Sequence, residues 1–187
     1  MQTIYRTKVI KNFINVKKHK DNLSHEGDCW IYEEVKDSEY INNPKYELIN
    51  DPFSHSNRTL YRIRALRDFG DVKKGDLGGC IAYEGNLSHY GDCWVYGRAK
   101  VYDNAKVYGN AWVYGNAEVF DNAEVYGNAM VYGNLCWVYG NARVYQGARV
   151  YGNAKIFDNA EIFEYASVYG EARIFHNFKV AGETRVY

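Results

Sequence analysis

An all-β fold is predicted for this chain, a triangular parallel β-helix over residues 83–187, on three observations. From Val95 onward the sequence repeats a six-residue unit, VYGNAx or a close variant. Sixteen successive first positions, Val95 to Val186, are all Val or Ile, and twelve of the fifteen complete units carry Ala fifth. Gly-Asn or Asp-Asn fills most third and fourth places, and these residues tolerate the positive φ of a sharp corner.

Each unit reads as a short strand followed by a turn. The branched aliphatic points inward, where β-branching suits a pleated strand. Alternation sends its two neighbours outward, a variable residue before it and Tyr or Phe after it. The aromatic holds that place in fifteen of sixteen units, which accounts for most of the chain's 19 tyrosines. Ala returns inward where the corner leaves no room. Three units close a coil of 18 residues, and coils stack about 4.8 Å apart. Residues 18 apart therefore lie in register, with one extra residue accommodated near Leu135–Trp137. That insertion reads as a bulge that aims Trp137 outward.

The pattern resembles the hexapeptide-repeat β-helix known from acyltransferases, and that resemblance implies left-handed winding. It departs from that family at the second position, where Gly is frequent there and an aromatic stands here. A tighter similarity covers residues 46–97, in YELIN, LYRIRALRDFGDVKKGDLGG and NLSHYGDCWVYG. These segments resemble the capping region of YdcK-like hexapeptide-repeat proteins of bacteria and phages. Members of that family are described as transferase-like or are uncharacterised, so the resemblance implies a fold more than an activity.

The front of the chain divides further. Residues 45–82 are expected to form a β-hairpin cap, with KYELIN and RTLYRIRAL as strands and Asp51–Asn57 as the loop. Asp68–Gly79 reads as turns leading into imperfect units at Tyr83 and His89. The cap would close the open end of the solenoid, since uncapped strands invite aggregation. Residues 1–44 hold a partial copy of it: Asn22-Leu-Ser-His-Glu-Gly-Asp-Cys-Trp30 matches Asn86-Leu-Ser-His-Tyr-Gly-Asp-Cys-Trp94. This copy is expected to be an accessory element that packs on the solenoid or reaches a partner. Its Arg6, Lys8, Lys11, Lys17, Lys18 and Lys20 form the main basic cluster.

Composition narrows the function. Basic and acidic residues balance at 23 each, against the cationic surplus usual in a nucleic-acid binder. The four cysteines lack Cys-x-x-Cys spacing, so neither zinc nor any cofactor is expected. No apolar run suggests a signal peptide or a membrane span, and free thiols in a bacterial host's cytoplasm are expected.

The register sorts outward residues into three faces. One shows Trp94/Tyr96, Trp112/Tyr114, Met130/Tyr132, Arg149/Tyr151, Ser167/Tyr169 and Arg185/Tyr187. The second carries a column of alternating charge, Lys106, Glu124, Arg143, Glu161 and Lys179, which reads as cross-strand pairing. The third carries Lys100, Glu118, Trp137, Lys155 and Arg173. Aromatics on every face read as self-stabilising ladders. The Trp94–Trp112–Met130 run is confined to one face near one end, and reads as a protein interface or as a surface covered by residues 1–44. With Tyr96, Tyr114, Tyr132 and Trp137 it makes the candidate protein-binding surface, and replacing Trp94 and Trp112 with Ala is expected to abolish capture without harming the fold. The last coil, with Tyr169, Phe175, Phe178 and Tyr187, is expected to form an end-to-end homodimer.

An enzyme is not expected. Acyltransferases of the resembling fold use a general-base His beside a cleft with an extruded loop. No such loop occurs here, His89 and its copy His25 fall at inward cap positions, and His176 lies at a corner. Ice binding wants Thr arrays, and Thr184 stands alone in the repeat. A symmetric polymer is disfavoured by the folded front. What remains is a rigid scaffold that binds a protein or nucleoprotein, in its concrete form a phage-encoded inhibitor of a host defence or regulatory protein.

Overall fold

The computed structural model describes residues 43–187, together with two strands of the preceding segment, β1 (Val16–Lys18) and β2 (Tyr32–Glu34). The chain divides into two compact units, Met1–Asn43 and Pro44–Tyr187. In the first, β1 and β2 pair antiparallel, with Lys17 opposite Glu33 and Lys18 opposite Tyr32. The basic residues Arg6, Lys8, Lys11 and Lys20, like His25 and Cys29, lie outside the described residues.

The second unit is all-β, a parallel β-solenoid of about six turns. Its coils rise in three sheets, one per side, containing six, nine and five strands. The strands are two to four residues long, because each side of the triangle has room only for the variable residue, the aliphatic, the aromatic and the start of a corner. Each variable residue donates its N–H to the next coil at the fifth-position carbonyl, as Lys100 does to Ala117 at 2.9 Å and Lys106 to Ala123 at 2.9 Å.

The inward positions behave as their chemistry requires. Val95, Val101, Val113, Val119, Val125, Val131 and Val138 are fully buried, as are the fifth-position alanines from Ala99 to Ala166. At the corners the third residue takes positive φ, as at Asp103 (53°), Asp121 (56°) and Asp158 (56°). The aspartates also hold the next coil: Asp121 Oδ2 accepts from the Gly140 N–H at 3.1 Å, and Asp158 Oδ2 from the His176 N–H at 3.0 Å. The fourth residues make an amide ladder in which Asn122, Asn141 and Asn159 each donate a hydrogen bond to the next, ending at Asn177, at 3.0–3.2 Å.

The aromatic columns are stacked as the register requires. On the six-stranded side Tyr114, Tyr132 and Tyr151 lie 4.5 and 5.0 Å apart with interplanar angles of 6° and 5°. On the five-stranded side Tyr108, Tyr126, Tyr145 and Phe163 follow at 4.8–5.1 Å. Such pairs contribute about 0.5–1.5 kcal/mol each beyond burial. Some phenols also tie coils together, and the Tyr145 hydroxyl donates to Glu161 Oε2 at 3.0 Å. Burial, reinforced by that carboxylate, pushes the Tyr145 hydroxyl up to about 12.

Ahead of the solenoid, β3 (Tyr46–Leu48), β4 (Phe53–His55), β5 (Arg58–Ala65) and β6 (Leu77–Ile81) form antiparallel pairs centred on β5. Two details differ from the sequence reading. The expected loop between the first two strands contains β4, closed by Ser56 and Asn57 at φ 49° and 62°, values that match the twist of a tight hairpin. The stretch read as turns up to Gly79 ends inside β6, which then pairs parallel with the solenoid strand Lys100–Val101. Gly78 and Gly79 are small there because a Cβ would lie 2.5 Å from Ile63 Cγ1 and 2.4 Å from the Ala99 carbonyl oxygen, respectively.

The register of the first coil also needs correction. Ile81 opposes Val101 and Leu87 opposes Val107, each 20 residues on, so Ile81 and Leu87 are the inward residues rather than Tyr83 and His89. Two extra residues between Leu87 and Val95 cause the shift. They are absorbed in the turn at Gly91, whose φ is 65°.

Candidate binding surface

The six-stranded side presents the columns singled out in the sequence. Trp94 opposes Trp112, Trp112 opposes Met130, and Met130 opposes Arg149, all in parallel register. The three do not form one exposed run. Trp94 is 1% exposed, because Phe69 and Tyr46 pack edge-on against it at centroid distances of 5.2 and 6.1 Å. Its cover therefore includes side chains from β3 and from the turn after β5. Trp112 and Met130 are half-buried, and Trp112 meets Tyr96 edge-on at 5.8 Å. Tyr114 and Tyr132 stand beside them, stacked. Each stacked ring covers its neighbour's face, so the ladder presents edges and hydroxyl groups outward.

The extra residue of the middle coil is expressed at Leu135. Trp137 keeps its place between Glu118 and Lys155, and Cys136 fills the alanine slot with no exposed area. Burial pushes the Cys136 thiol up to about 12, which makes it inert at neutral pH. Leu135 is displaced to the surface, 54% exposed, and Gly133 opens to φ 137° to allow it. Trp137 is half-buried, with Phe120 at its edge and the Lys155 ammonium 4.2 Å from its ring centroid. The bulge thus exposes a leucine, while Trp137 keeps the outward place that the register gives it.

In the last coils Tyr169 stacks between Tyr151 and Tyr187, and Phe175 stacks on Phe157 at 5.2 Å. Phe178 and Tyr187 are 62% and 85% exposed.

A polar cluster on the nine-stranded side was not anticipated. The Glu118 carboxylate accepts from Lys100 Nζ at 3.0 Å and the Tyr102 hydroxyl at 2.8 Å, and lies 3.2 Å from His55 Nε2. Burial works against the charged carboxylate, but these hydrogen bonds outweigh it and hold Glu118 below the usual carboxylate range. Burial, then Glu118, pushes the Tyr102 phenol well up. One turn further out on the hairpin, Arg58 grips Asp103 with Nε and Nη2 at 2.7 and 2.8 Å. Chemically the cluster is a clasp: Glu118 is fully engaged by donors, and the β4–β5 tip is fastened to two successive coils. The Lys100–Glu118 opposition was legible at 18-residue spacing, whereas His55 lies 63 residues from Glu118 and carries no repeat signal.

His89 sits in another buried group. His89 Nδ1 accepts the Lys45 N–H at 3.1 Å, and its ring stacks on Tyr46 at 4.3 Å. The Lys45 ammonium, fully buried, donates to the Cys93 carbonyl at 2.8 Å and touches Cys93 Sγ at 3.2 Å. Burial, with Lys45 and Arg67 nearby, depresses the His89 imidazole to about 4. The folded state thus binds fewer protons than the unfolded chain between pH 6.5 and 4. Stability is therefore complete above about pH 6.5 and falls as the pH drops toward 4. After allowance for solvent screening the loss is about 1–2 kcal/mol, and denaturant titrations across this range should show it in the parent and not in His89→Gln. His176 is exposed at a corner, paired with Asp158 at 3.0 Å.

Among the described residues no group of three His, Cys, Asp or Glu side chains could hold a metal ion, and no helix is long and apolar enough to cross a membrane. Compared with known families, the chain matches the one described as YdcK Beta solenoid repeat over residues 99–117 and 138–152. No curated protein matches its sequence.

Proposed function

We propose that this protein, a YdcK-like β-solenoid, is a non-catalytic binding scaffold. The observation that carries the reading is the pinning of its outward side chains. Trp112, Tyr114, Met130 and Tyr132 stand at fixed heights on paired four-residue strands, with the tyrosine rings stacked. A partner meeting them encounters little further loss of side-chain freedom, which is how a rigid surface gains affinity. Tryptophan, tyrosine and methionine are also the side chains enriched at protein contacts.

The finer reading, resting on the resemblance to phage and bacterial proteins, is a phage-encoded inhibitor acting in the host cytoplasm on a defence or regulatory protein or nucleoprotein. The basic residues of the first unit suit an acidic partner. An end-to-end homodimer through the last coil belongs to the same proposal, supported by the exposure of Phe178 and Tyr187.

Capture from the native host tests the scaffold. Trp112→Ala combined with Met130→Ala should lose the captured partner while the unfolding transition stays cooperative. Retained capture by that variant, or calorimetric binding of acetyl-CoA, would instead favour a different surface or the acyltransferase alternative.

A further inference from the structure

The corner that holds Leu135 separates the six-stranded side from the nine-stranded one. In five successive coils it carries Arg98, Asn116, Asn134, Asn153 and Glu171. Hydrogen bonds from Asn116 to Asn134 and from Asn153 to Glu171, at 3.4 and 2.7 Å, tie its members together. Leu135 projects from the middle of this polar ridge, 54% exposed, flanked by Tyr132 on one side and Trp137 on the other. Beside the ridge runs the column Lys100, Glu118, Trp137, Lys155 and Arg173.

The charges are ordered about the height of Leu135. On the ridge, Arg98 lies two coils below and Glu171 two coils above, both exposed. In the neighbouring column, Glu118 lies one coil below and Lys155 one coil above. We infer that two copies of the chain associate side by side and antiparallel, about a two-fold axis at the height of Leu135. That axis exchanges up and down, so Arg98 of each copy meets Glu171 of the other. Asn116 likewise faces Asn153, and the two leucines meet at the centre, beside the facing pair of Trp137 rings. An isologous contact needs this self-complementarity. A parallel pairing would set each charge against its own kind. The outermost opposition, Lys100 against Arg173, is repulsive, and it is tempered because Lys100 is already bound to Glu118 at 3.0 Å. An apolar centre with charges around it is the usual anatomy of a specific contact.

This association uses a different surface from the terminal coil and needs no foreign partner, so it stands apart from the scaffold reading. Sedimentation velocity of the full chain at micromolar concentration tests it. The expected result is a reversible dimer weakened by salt and lost in Leu135→Glu. Arg98→Glu and Glu171→Arg should each weaken it by about tenfold or more. The two reversals combined in one chain should restore it, because the reversed charges again face each other. Phe178→Ala should leave this dimer unchanged. A monomer throughout, charge reversals without effect, or a double reversal that fails to rescue would each overturn the inference. Loss of the dimer in Phe178→Ala would also overturn it, in favour of the end-to-end pairing.

Discussion

Val131→Asp should abolish cooperative folding of the 44–187 unit. Val131 is fully buried at the middle of the six-stranded side, with Val113 in register on one side and Val150 on the other. A carboxylate there has aliphatic neighbours above and below, and taking an unpaired charge out of water costs several kcal/mol. Protonation lessens that cost but leaves a polar group without a partner. In a solenoid each coil is stabilised mainly by its neighbours, so damage in the central coil removes support from both directions. A domain of this size has about 5–15 kcal/mol in all, and the loss consumes much of it. Guanidinium titration followed by near-ultraviolet circular dichroism should show no sigmoidal transition for this variant. Met130→Asp, one residue away but facing outward, should keep one. Similar behaviour of the two would contradict the inward and outward assignment.

Trp94→Ala should cost about 3–5 kcal/mol, the range for emptying a buried aromatic site. The ring is packed by Phe69 and Tyr46 and joins the main core. Trp112→Ala should cost far less, since Trp112 is half-buried and, among the described residues, its ring contact is one edge-on approach to Tyr96. The two tryptophans occupy equivalent places in the repeat, so the difference isolates what the segment before the solenoid adds. Equal losses in denaturant midpoint would mean that the segment does not cover Trp94. The burial of Trp94 overturns the expectation that it could be replaced without harm to the fold.

That pair also shows what the sequence makes legible. The six-residue beat reports itself: every Val or Ile from Val95 to Val168 is buried, and the three outward columns fall in the order the spacing predicts. The extra residue was visible as well, because it broke an otherwise unbroken count. Which side chain it would expose was not. Leu135 and Cys136 compete for one inward slot, and the smaller Cys136 fits the space that alanine fills elsewhere. The first coil was misread by two residues, since NLSHYGDC lacks the repeat's own punctuation and His89 could be counted inward as readily as Leu87. The burial of Trp94 and the Glu118 clasp lay beyond periodicity altogether. Both depend on the segment before the solenoid, strands and turn alike, folding back onto coils 25 to 63 residues distant, and such contacts leave no regular mark in a chain.

The winding itself can be measured through the backbone by nuclear Overhauser contacts between coils. Val107 should report Val125, and Val113 should report Val131, in each case 18 residues on. Across the Leu135 insertion the interval should lengthen by one residue, so that Val125 reports Val144 and Val131 reports Val150. That single step, placed at one coil, is the signature of a parallel solenoid with a one-residue bulge. Contacts that instead mirror about the Gly-Asn turns, as in consecutive hairpins, would contradict the coil register and with it every surface assigned here.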